Sequence, residues 1–247
     1  MEILGIDIGG TGIKGALVDI ETGKLTSKKY RIKTPRPATP EAVADTIQAI
    51  ITHFKWKGQV GCGFPTPLQH GKCQSGGNLH PSWKDIQVNE LFNNKTGNDF
   101  SVVNDADAAG LAEISFGAGR GKMGVVIMIT LGTGIGSGVF LDGKLLQNTE
   151  LGHVLYKNGA IFEKYAADSA RKREGLSRKE WGKRLNKYFQ HISLILSPDL
   201  FIIGGGASKK LGKFSEQIKI DTRIVAAESE NEAGIIGAAM AAKFQIK

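Results

Sequence analysis

Two copies of the tetrapeptide Gly-Thr-Gly-Ile stand 122 residues apart, at residues 10–13 and 132–135. In each copy a run of β-branched apolar residues leads into the glycines, and a second apolar run follows. Glycine lets backbone N–H groups come close to an anion, and successive N–H groups form a cradle for phosphate. The pattern therefore indicates two phosphate-binding turns, formed by Gly10, Thr11 and Gly12 in the first copy and Gly132, Thr133 and Gly134 in the second.

Dinucleotide binding and simple hairpin formation fit these glycines less well. Gly10, Gly12 and Gly15 match the spacing of the dinucleotide-binding fingerprint, but that motif needs a helix after the glycines, and Ala16 to Ile20 is typical of a strand. The P-loop pattern is absent. Tight hairpins without a ligand would explain one copy as well as phosphate binding does. A matched pair favours phosphate binding and predicts two related half-domains.

Size and composition fit an α/β enzyme of one large or two small domains. The 247 residues are 41% hydrophobic and include 33 glycines but only two cysteines, Cys62 and Cys73. Without a disulfide framework or a C-x-x-C pair, reduced thiols are expected. The chain begins with a strand rather than a signal peptide, and its apolar runs are too short to span a bilayer. We therefore expect a cytoplasmic protein with no membrane partner.

The net charge of +8 is concentrated between Arg171 and Lys187, where eight basic residues accompany two acidic ones. Trp181, Leu185 and Tyr188 recur at helical spacing in this segment, so the basic residues could simply form the solvated face of a helix. Binding of a polyanion is the alternative, and the sequence leaves both open. Nucleic acid is disfavoured, because no helix-turn-helix, zinc finger or aromatic RNA-binding signature is present.

The order of predicted elements defines the fold. Three strands at 3–8, 13–20 and 24–33 precede a helix capped by Thr39, a buried strand at 59–64, a long polar loop at 66–82, a strand at 100–103 and a helix from Asn104. A second meander at 124–146 is followed by helices at 160–171 and 178–196, a strand at 200–203 and a helix at 232–244.

This layout predicts an α/β duplicated actin-like, or ribonuclease-H-like, fold with two half-domains around a cleft. We expect a small half-domain at 1–110 with a returning helix at 233–247, and a large half-domain at 111–232.

The chain resembles the ROK family of sugar kinases along essentially its whole length, and within that family the branch that uses inorganic polyphosphate. The resemblance rests on five segments: Asp7–Lys14, Asn104–Ala109, Leu131–Gly136, Asn148–His153 and Gly204–Gly206. The segment from Thr34 to Pro40 resembles the polyphosphate-using branch in particular.

The resemblance implies glucose phosphorylation at the 6-hydroxyl, from polyphosphate with or without ATP as a second donor, and with Asp105 as the catalytic base. The implied contacts to the other sugar hydroxyls are Asn78, Asn104, Glu150, His153 and Glu163. Carboxylates suit this task because they accept hydrogen bonds from adjacent hydroxyls. Asparagine at 78 or 104 could instead serve only to form a turn, and Asp105 only to cap a helix.

The family resemblance also assigns the donor and metal sites. The two glycine turns, with Lys14, would bind the donor phosphates, while Gly205 and Gly206 would lie near adenine if ATP binds. Asp7 would hold Mg²⁺ through water, since Mg²⁺ keeps much of its hydration shell. Many ROK proteins carry a cysteine-rich zinc loop after the histidine, but residues 154–162 contain no cysteine, so no structural zinc is expected.

Three hypotheses compete with the polyphosphate-dependent enzyme. A strictly ATP-dependent glucokinase or glucomannokinase of the same family would keep every motif. A sugar-sensing regulator would be expected to lose the base or carry a DNA-binding segment, and we expect neither here. An actin-like assembly ATPase is disfavoured by the hydroxyl-binding residues around Asp105. By resemblance the protein is expected to form a homodimer.

Overall fold

The apolar runs that flank the two glycine turns form neighbouring strands of two separate sheets in the computed structural model, which describes residues 1–77 and 79–246. The chain divides into unit 1, Met1–Phe116 with Asn231–Lys247, and unit 2, Gly117–Glu230. Each unit contains one of the two turns. No helix in the described residues is long and apolar enough to cross a bilayer.

Thirteen strands and seven α-helices make up the described regular structure, with short 3₁₀ turns between them. The strands are β1 (Glu2–Gly9), β2 (Gly12–Asp19), β3 (Lys24–Leu25), β4 (Tyr30–Ile32), β5 (Gln59–Phe64), β6 (Leu68–Gln69), β7 (Lys72–Cys73), β8 (Asp99–Asn104), β9 (Val125–Leu131), β10 (Ile135–Leu141), β11 (Lys144–Leu146), β12 (Leu200–Gly204) and β13 (Arg223–Ala226). The helices are α1 (Pro40–Phe54), α2 (Val88–Thr96), α3 (Asp105–Phe116), α4 (Phe162–Ala166), α5 (Asp168–Arg173), α6 (Arg178–Leu196) and α7 (Ala233–Lys243).

The main sheets of the two units have the same topology. Unit 1 has the order β3-β2-β1-β5-β8, with β4 also paired to β2, and unit 2 has β11-β10-β9-β12-β13. In each sheet the strand before the glycine turn is central. It pairs antiparallel with the strand after the turn and, on its other side, parallel with β5 in unit 1 or β12 in unit 2. The repeat seen in the sequence is therefore a repeat of a whole sheet.

Unit 1 packs α7 closely against its sheet and against α3. A Cβ on Gly61 would collide with the backbone carbonyl of Ala238, and one on Gly237 would collide with that of Ala108. The glycines and alanines of α7 thus allow backbones to meet directly, and this helix returns the end of the chain to the first sheet.

Local signals determine where the two longest helices begin. Thr39 caps α1, accepting a hydrogen bond from Ala42 N–H, and Pro40 occupies the first helical position. Ser177 and Glu180 form a capping box at the start of α6. The apolar face of α6 is buried in the unit 2 core, where Trp181, Leu185 and Tyr188 are fully covered.

Two predicted elements are divided in the structure. The predicted strand at 24–33 becomes β3 and β4, because the Ser27 hydroxyl accepts the hydrogen bond of Leu17 N–H and so replaces a backbone partner. The predicted helix at 160–171 becomes α4 and α5, because Ala167 between them has extended backbone angles.

Candidate active site

The first glycine turn, between β1 and β2, is held by two side chains that donate to its carbonyls. The Arg31 guanidinium donates to Thr11 O at 2.8 Å, and Thr34 Oγ1 donates to Gly9 O at 2.5 Å. Gly12 packs directly on Arg31, whereas a Cβ on Gly10 would meet only open space. Two of its carbonyl oxygens are already hydrogen-bonded, and the Arg31 guanidinium lies against it. The turn therefore suits an anion.

The second turn, between β9 and β10, is held in a similar way. The Ser169 hydroxyl donates to Thr133 O at 2.5 Å, and Ser169 N–H donates to Gly132 O at 3.2 Å. Gly134 packs on the carboxylate of Glu163, and a Cβ on Gly132 would again meet open space. Each turn therefore has one glycine packed against a charged side chain and one that faces open space.

Gly205 and Gly206 follow the end of β12, next to the second turn. Gly205 has a φ of +71° and lies against the backbone of Leu131, the last residue of β9. Gly206 has nothing near its missing Cβ. The structure thus brings the predicted adenine-side glycines of unit 2 beside the predicted phosphate turn of the same unit.

Asn104 and Asp105 have different tasks at the junction of β8 and α3. The buried Asn104 accepts a hydrogen bond from Ala106 N–H at its Oδ1 (2.8 Å) and donates from Nδ2 to Thr66 O (3.3 Å). Asn104 therefore caps the helix and connects it to the loop after β5. Asp105, the first residue of α3, remains accessible to solvent.

The pKa of Asp105 is raised from 3.8 to about 6. Loss of hydration among the surrounding protein atoms is the larger cause, and the nearby Asp7 carboxylate adds to it, while a hydrogen bond from Ala106 N–H opposes both. A carboxyl with this pKa is ionised at neutral pH yet basic enough to accept a proton.

Asp7 lies near the end of β1, with its side chain 22% exposed. Lys14 Nζ lies 3.3 Å from Asp7 Oδ2, and a Cβ on Gly234, at the start of α7, would press on the same carboxyl. Unit 1 thus brings together Asp7, Lys14, Asp105 and the first glycine turn. No group of three or more His, Cys, Asp or Glu side chains among residues 1–77 and 79–246 forms a ready cation cage.

Unit 2 brings Glu150 and His153 together on one short 3₁₀ turn, where His153 Nδ1 lies 4.0 Å from Glu150 Oε2. The buried Ser137 of β10 positions this turn, because its hydroxyl donates to Thr149 O (2.7 Å) and accepts from Leu151 N–H (2.9 Å). Gly152 is required here, since a Cβ would collide with Ile135 O.

Glu163, in the first turn of α4, connects the predicted sugar and phosphate residues of unit 2. Its Oε2 accepts a hydrogen bond from Ile135 N–H at 3.0 Å, immediately after the second glycine turn. The carboxylate of a predicted sugar contact therefore supports the backbone of a predicted phosphate site.

Asn78, predicted from the sequence to contact the sugar, lies outside the described residues. Three positioning residues were missed: Arg31, Ser137 and Ser169. Ser137 lies two residues after the second glycine motif, so its hydroxyl was a visible signal. Arg31 and Ser169 lie 20 and 36 residues from the turn atoms they bind, and no local pattern connects them.

Comparison with known proteins identifies the family of the chain. The ROK family matches residues 3–172. A polyphosphate glucokinase of Mycobacterium tuberculosis (strain CDC 1551 / Oshkosh) is 41% identical over 238 residues, which cover 96% of this chain and 89% of the relative. The crystal structure of an inorganic polyphosphate/ATP-glucomannokinase from Arthrobacter sp. strain KM is 44% identical, covers 99% of both chains and has a TM-score of 0.90.

A more distant structure, a ROK family glucokinase from Streptomyces griseus, has a TM-score of 0.82 at 24% identity, with 99% of this chain covered, and supports the fold alone. The duplicated sheets and the similarity to known kinases define a sugar kinase of the actin-like class, as the sequence predicted. The chain belongs to the ROK family.

Proposed function

We propose that the protein transfers a phosphoryl group from inorganic polyphosphate to the 6-hydroxyl of glucose, giving glucose 6-phosphate. The observation that carries this proposal is Asp105, an accessible carboxyl with a raised pKa at the start of α3, next to the Asn104 side chain that caps the helix. The names of the M. tuberculosis and Arthrobacter relatives support the donor and the acceptor.

Asp105 would act as the general base. As the sugar 6-oxygen forms its bond to phosphorus, Asp105 accepts the hydroxyl proton, and the bond from phosphorus to the bridging oxygen of the donor breaks. The donor leaves one phosphate shorter and keeps the electron pair of that bond. Asp105 then returns its proton to solvent.

Glu150, His153 and Glu163 are proposed to hold the other sugar hydroxyls, together with Asn104 and Asn78. Glu150 and His153 suit this because they share one turn and are fixed to β10 through Ser137. The side-chain amide of Asn104 already caps α3 and binds Thr66 O. We therefore expect Asn104 to contribute to catalysis chiefly by placing Asp105.

The donor phosphates are proposed to bind at the two glycine turns. In unit 1 these residues are Gly10, Thr11, Gly12 and Lys14, and in unit 2 they are Gly132, Thr133 and Gly134, with Gly205 and Gly206 serving ATP. Support comes from the open space at Gly10, Gly132 and Gly206, where neither packing nor a positive φ requires glycine. Close approach of a ligand is a reason for glycine at such positions.

Mg²⁺ fits Asp7, because two carboxylates, Asp7 and Asp105, repel each other there and Mg²⁺ prefers oxygen ligands. We propose that Asp7 holds the ion, through water and with donor phosphates completing its coordination. When bound, the ion supplies positive charge that stabilises the transferring phosphoryl group. Lys14 supplies further positive charge from β2.

Two glycine substitutions should separate the donor and sugar sites. Gly132→Ala fits the folded chain without a clash but removes space for a phosphate, so the KM for the donor should rise about tenfold with little change for glucose. Gly134→Ala should displace the Glu163 carboxylate and raise mainly the KM for glucose. Steady-state kinetics on both substrates test this, and equal effects of the two variants would contradict it.

The basic segment from Arg171 to Lys187 spans the end of α5 and the first half of α6, and much of its charge is paired. Arg171, Lys172 and Arg178 surround Asp168, while Arg173 and Arg184 bind Glu174. The exposed lysines Lys179, Lys183 and Lys187 lie four residues apart on α6 and so share one face. The hydroxyls of Tyr165 and Tyr156 raise the pKa of Lys187.

We propose that this lysine face attracts long polyphosphate chains. Reversing the three lysines to glutamate should raise the KM for long-chain polyphosphate about fivefold or more and flatten its salt dependence. A matched control reverses three exposed lysines of unit 1, Lys24, Lys55 and Lys57. An unchanged KM, or the same change in both triple variants, would show that α6 has only a solvated face.

The proposed function is tested by measuring glucose 6-phosphate formation with Mg²⁺, using long-chain polyphosphate and ATP as separate donors. Activity with polyphosphate supports the proposal. Activity with ATP alone would favour the alternative, an ATP-dependent glucokinase. Mannose belongs in the same assay, because the Arthrobacter relative is named a glucomannokinase. Assembly as a homodimer and location in the cytoplasm stay predictions, which light scattering and cell fractionation would check.

A further inference from the structure

A cavity of about 320 Å³ lies in unit 1 beside the first glycine turn. Its lining includes Gly10, Thr34, Arg36 and His80, and none of the described residues that line it is acidic. Its volume is at the lower end of that of small-molecule pockets. The cavity is therefore a basic space that opens directly onto a proposed phosphate site.

The wall that carries Arg36 is fixed at both ends. Thr34 Oγ1 donates to Gly9 O in the glycine turn, and the indole N–H of the buried Trp83 donates to Ala38 O at 2.8 Å. Pro35 and Pro37 flank Arg36 and restrict the backbone further. Arg36 is thus presented from a rigid segment, which lowers the entropy cost of binding.

Two donor groups in the cavity lack protein acceptors among the described residues. The exposed Arg36 guanidinium makes no hydrogen bond or ion pair with them. His80 Nδ1 accepts from Ser82 N–H at 3.2 Å and lies 2.7 Å from Ser82 Oγ, which places the proton of the neutral ring on Nε2. An anionic ligand would supply acceptors for both groups.

Gly10 completes the site. A Cβ at this position would meet nothing within 4 Å, and its φ is not positive. A ligand that approaches the backbone closely would explain why the smallest residue stands here. A rigid guanidinium fork, a ring N–H and an open backbone turn are the groups that recognise phosphate oxygens.

We propose that this cavity binds a segment of inorganic oligophosphate, with Arg36 as its main anchor and as a residue that favours polyphosphate over ATP. The inference rests on the proposed function and adds the site of the phosphates adjoining the one transferred. It differs from the lysine face of α6, which would attract only long chains.

The test measures binding of tetrapolyphosphate by calorimetry, which does not depend on turnover. Arg36→Gln should weaken binding about tenfold or more, because a charge-assisted contact is lost. Arg36→Lys should lose less, since it keeps the charge but not the fork. The control Arg120→Gln removes an exposed arginine of unit 2 and should change binding by less than about twofold.

Kinetics identify which substrate the cavity serves. Arg36→Gln should raise the KM for short and long polyphosphate alike, leave the KM for glucose unchanged and shift donor preference toward ATP. Equal tetrapolyphosphate binding by wild type and Arg36→Gln would overturn the inference, as would a rise in the KM for glucose alone. If wild type binds tetrapolyphosphate through Arg36 but does not phosphorylate glucose with polyphosphate, the proposed function fails and this site stands.

Discussion

Replacing Asp105 by asparagine is expected to lower turnover by about two to four orders of magnitude while glucose still binds. The asparagine keeps the size of the side chain but cannot accept the hydroxyl proton. Because Asn104 rather than Asp105 caps α3, the helix should begin unchanged. Calorimetry with glucose and turnover with the preferred donor test this, with Asp99→Asn, at the exposed start of β8, as the control.

The same substitution should reveal the electrostatic cost of the base. The pKa of Asp105 is about 6 in the folded protein and near 3.8 when unfolded, so the folded state binds more protons between these values. The contribution of Asp105 to stability therefore falls as pH rises through this window. Above it, Asp105→Asn should stabilise the protein by about 1 kcal/mol or less, because an accessible carboxyl is screened.

Two pH profiles check this interpretation. Wild-type kcat/KM should fall as pH decreases through about 6, where Asp105 becomes protonated. The Tm advantage of Asp105→Asn should be present at neutral pH and disappear below about pH 4. Substantial residual turnover in this variant, or a profile without the acid limb, would reject Asp105 as the base.

Replacing Asp7 by asparagine is expected to lower turnover by about two to three orders of magnitude and to raise the Mg²⁺ concentration needed. An amide is a weaker ligand for Mg²⁺ and its water than a carboxylate, and Lys14 loses the negative charge of its ion-pair partner at 3.3 Å. The measurement is initial rate against Mg²⁺ concentration at saturating glucose and donor.

Asp7→Asn also has a signature that a loss of metal alone would not produce. The Asp7 carboxylate contributes to the raised pKa of Asp105, so its removal should move the acid limb of the pH profile to lower pH. Asp99→Asn should leave both the limb and the Mg²⁺ dependence in place. An unchanged Mg²⁺ dependence in Asp7→Asn would place the ion elsewhere.

The two glycines of each turn have different surroundings, and this difference connects these predictions. One glycine faces open space, and the other packs on a charged group, Arg31 in unit 1 and Glu163 in unit 2. Because of the positive charge, we expect the first turn to be the stronger of the two proposed anion sites. In the second turn Gly134 packs on the Glu163 carboxylate, which is proposed to bind the sugar, so a change at Gly134 should affect mainly the KM for glucose.

The sequence by itself determined the elements with strong local signals. The repeated strand-turn-strand units predicted two sheets, the Thr39-Pro40 pair predicted the start of α1, and the apolar stripe of α6 predicted its buried face. These patterns are readable because hydrogen bonding and burial there depend on residues only a few positions apart. The family resemblance added the roles of the carboxylates, which no periodicity contains.

Only the tertiary structure decided features that depend on distant partners. The short helix α2 and the edge strand β13 were not predicted. Ser27 and Ala167 divide a strand and a helix that the pattern predicted as continuous. The hydrogen bonds from Arg31 and Ser169 hold the glycine turns from distant parts of the chain. The walls of the Arg36 cavity likewise come from segments far apart in sequence. These features share one physical reason. Hydrogen bonds and cavity walls formed between distant residues produce no periodic pattern in the sequence.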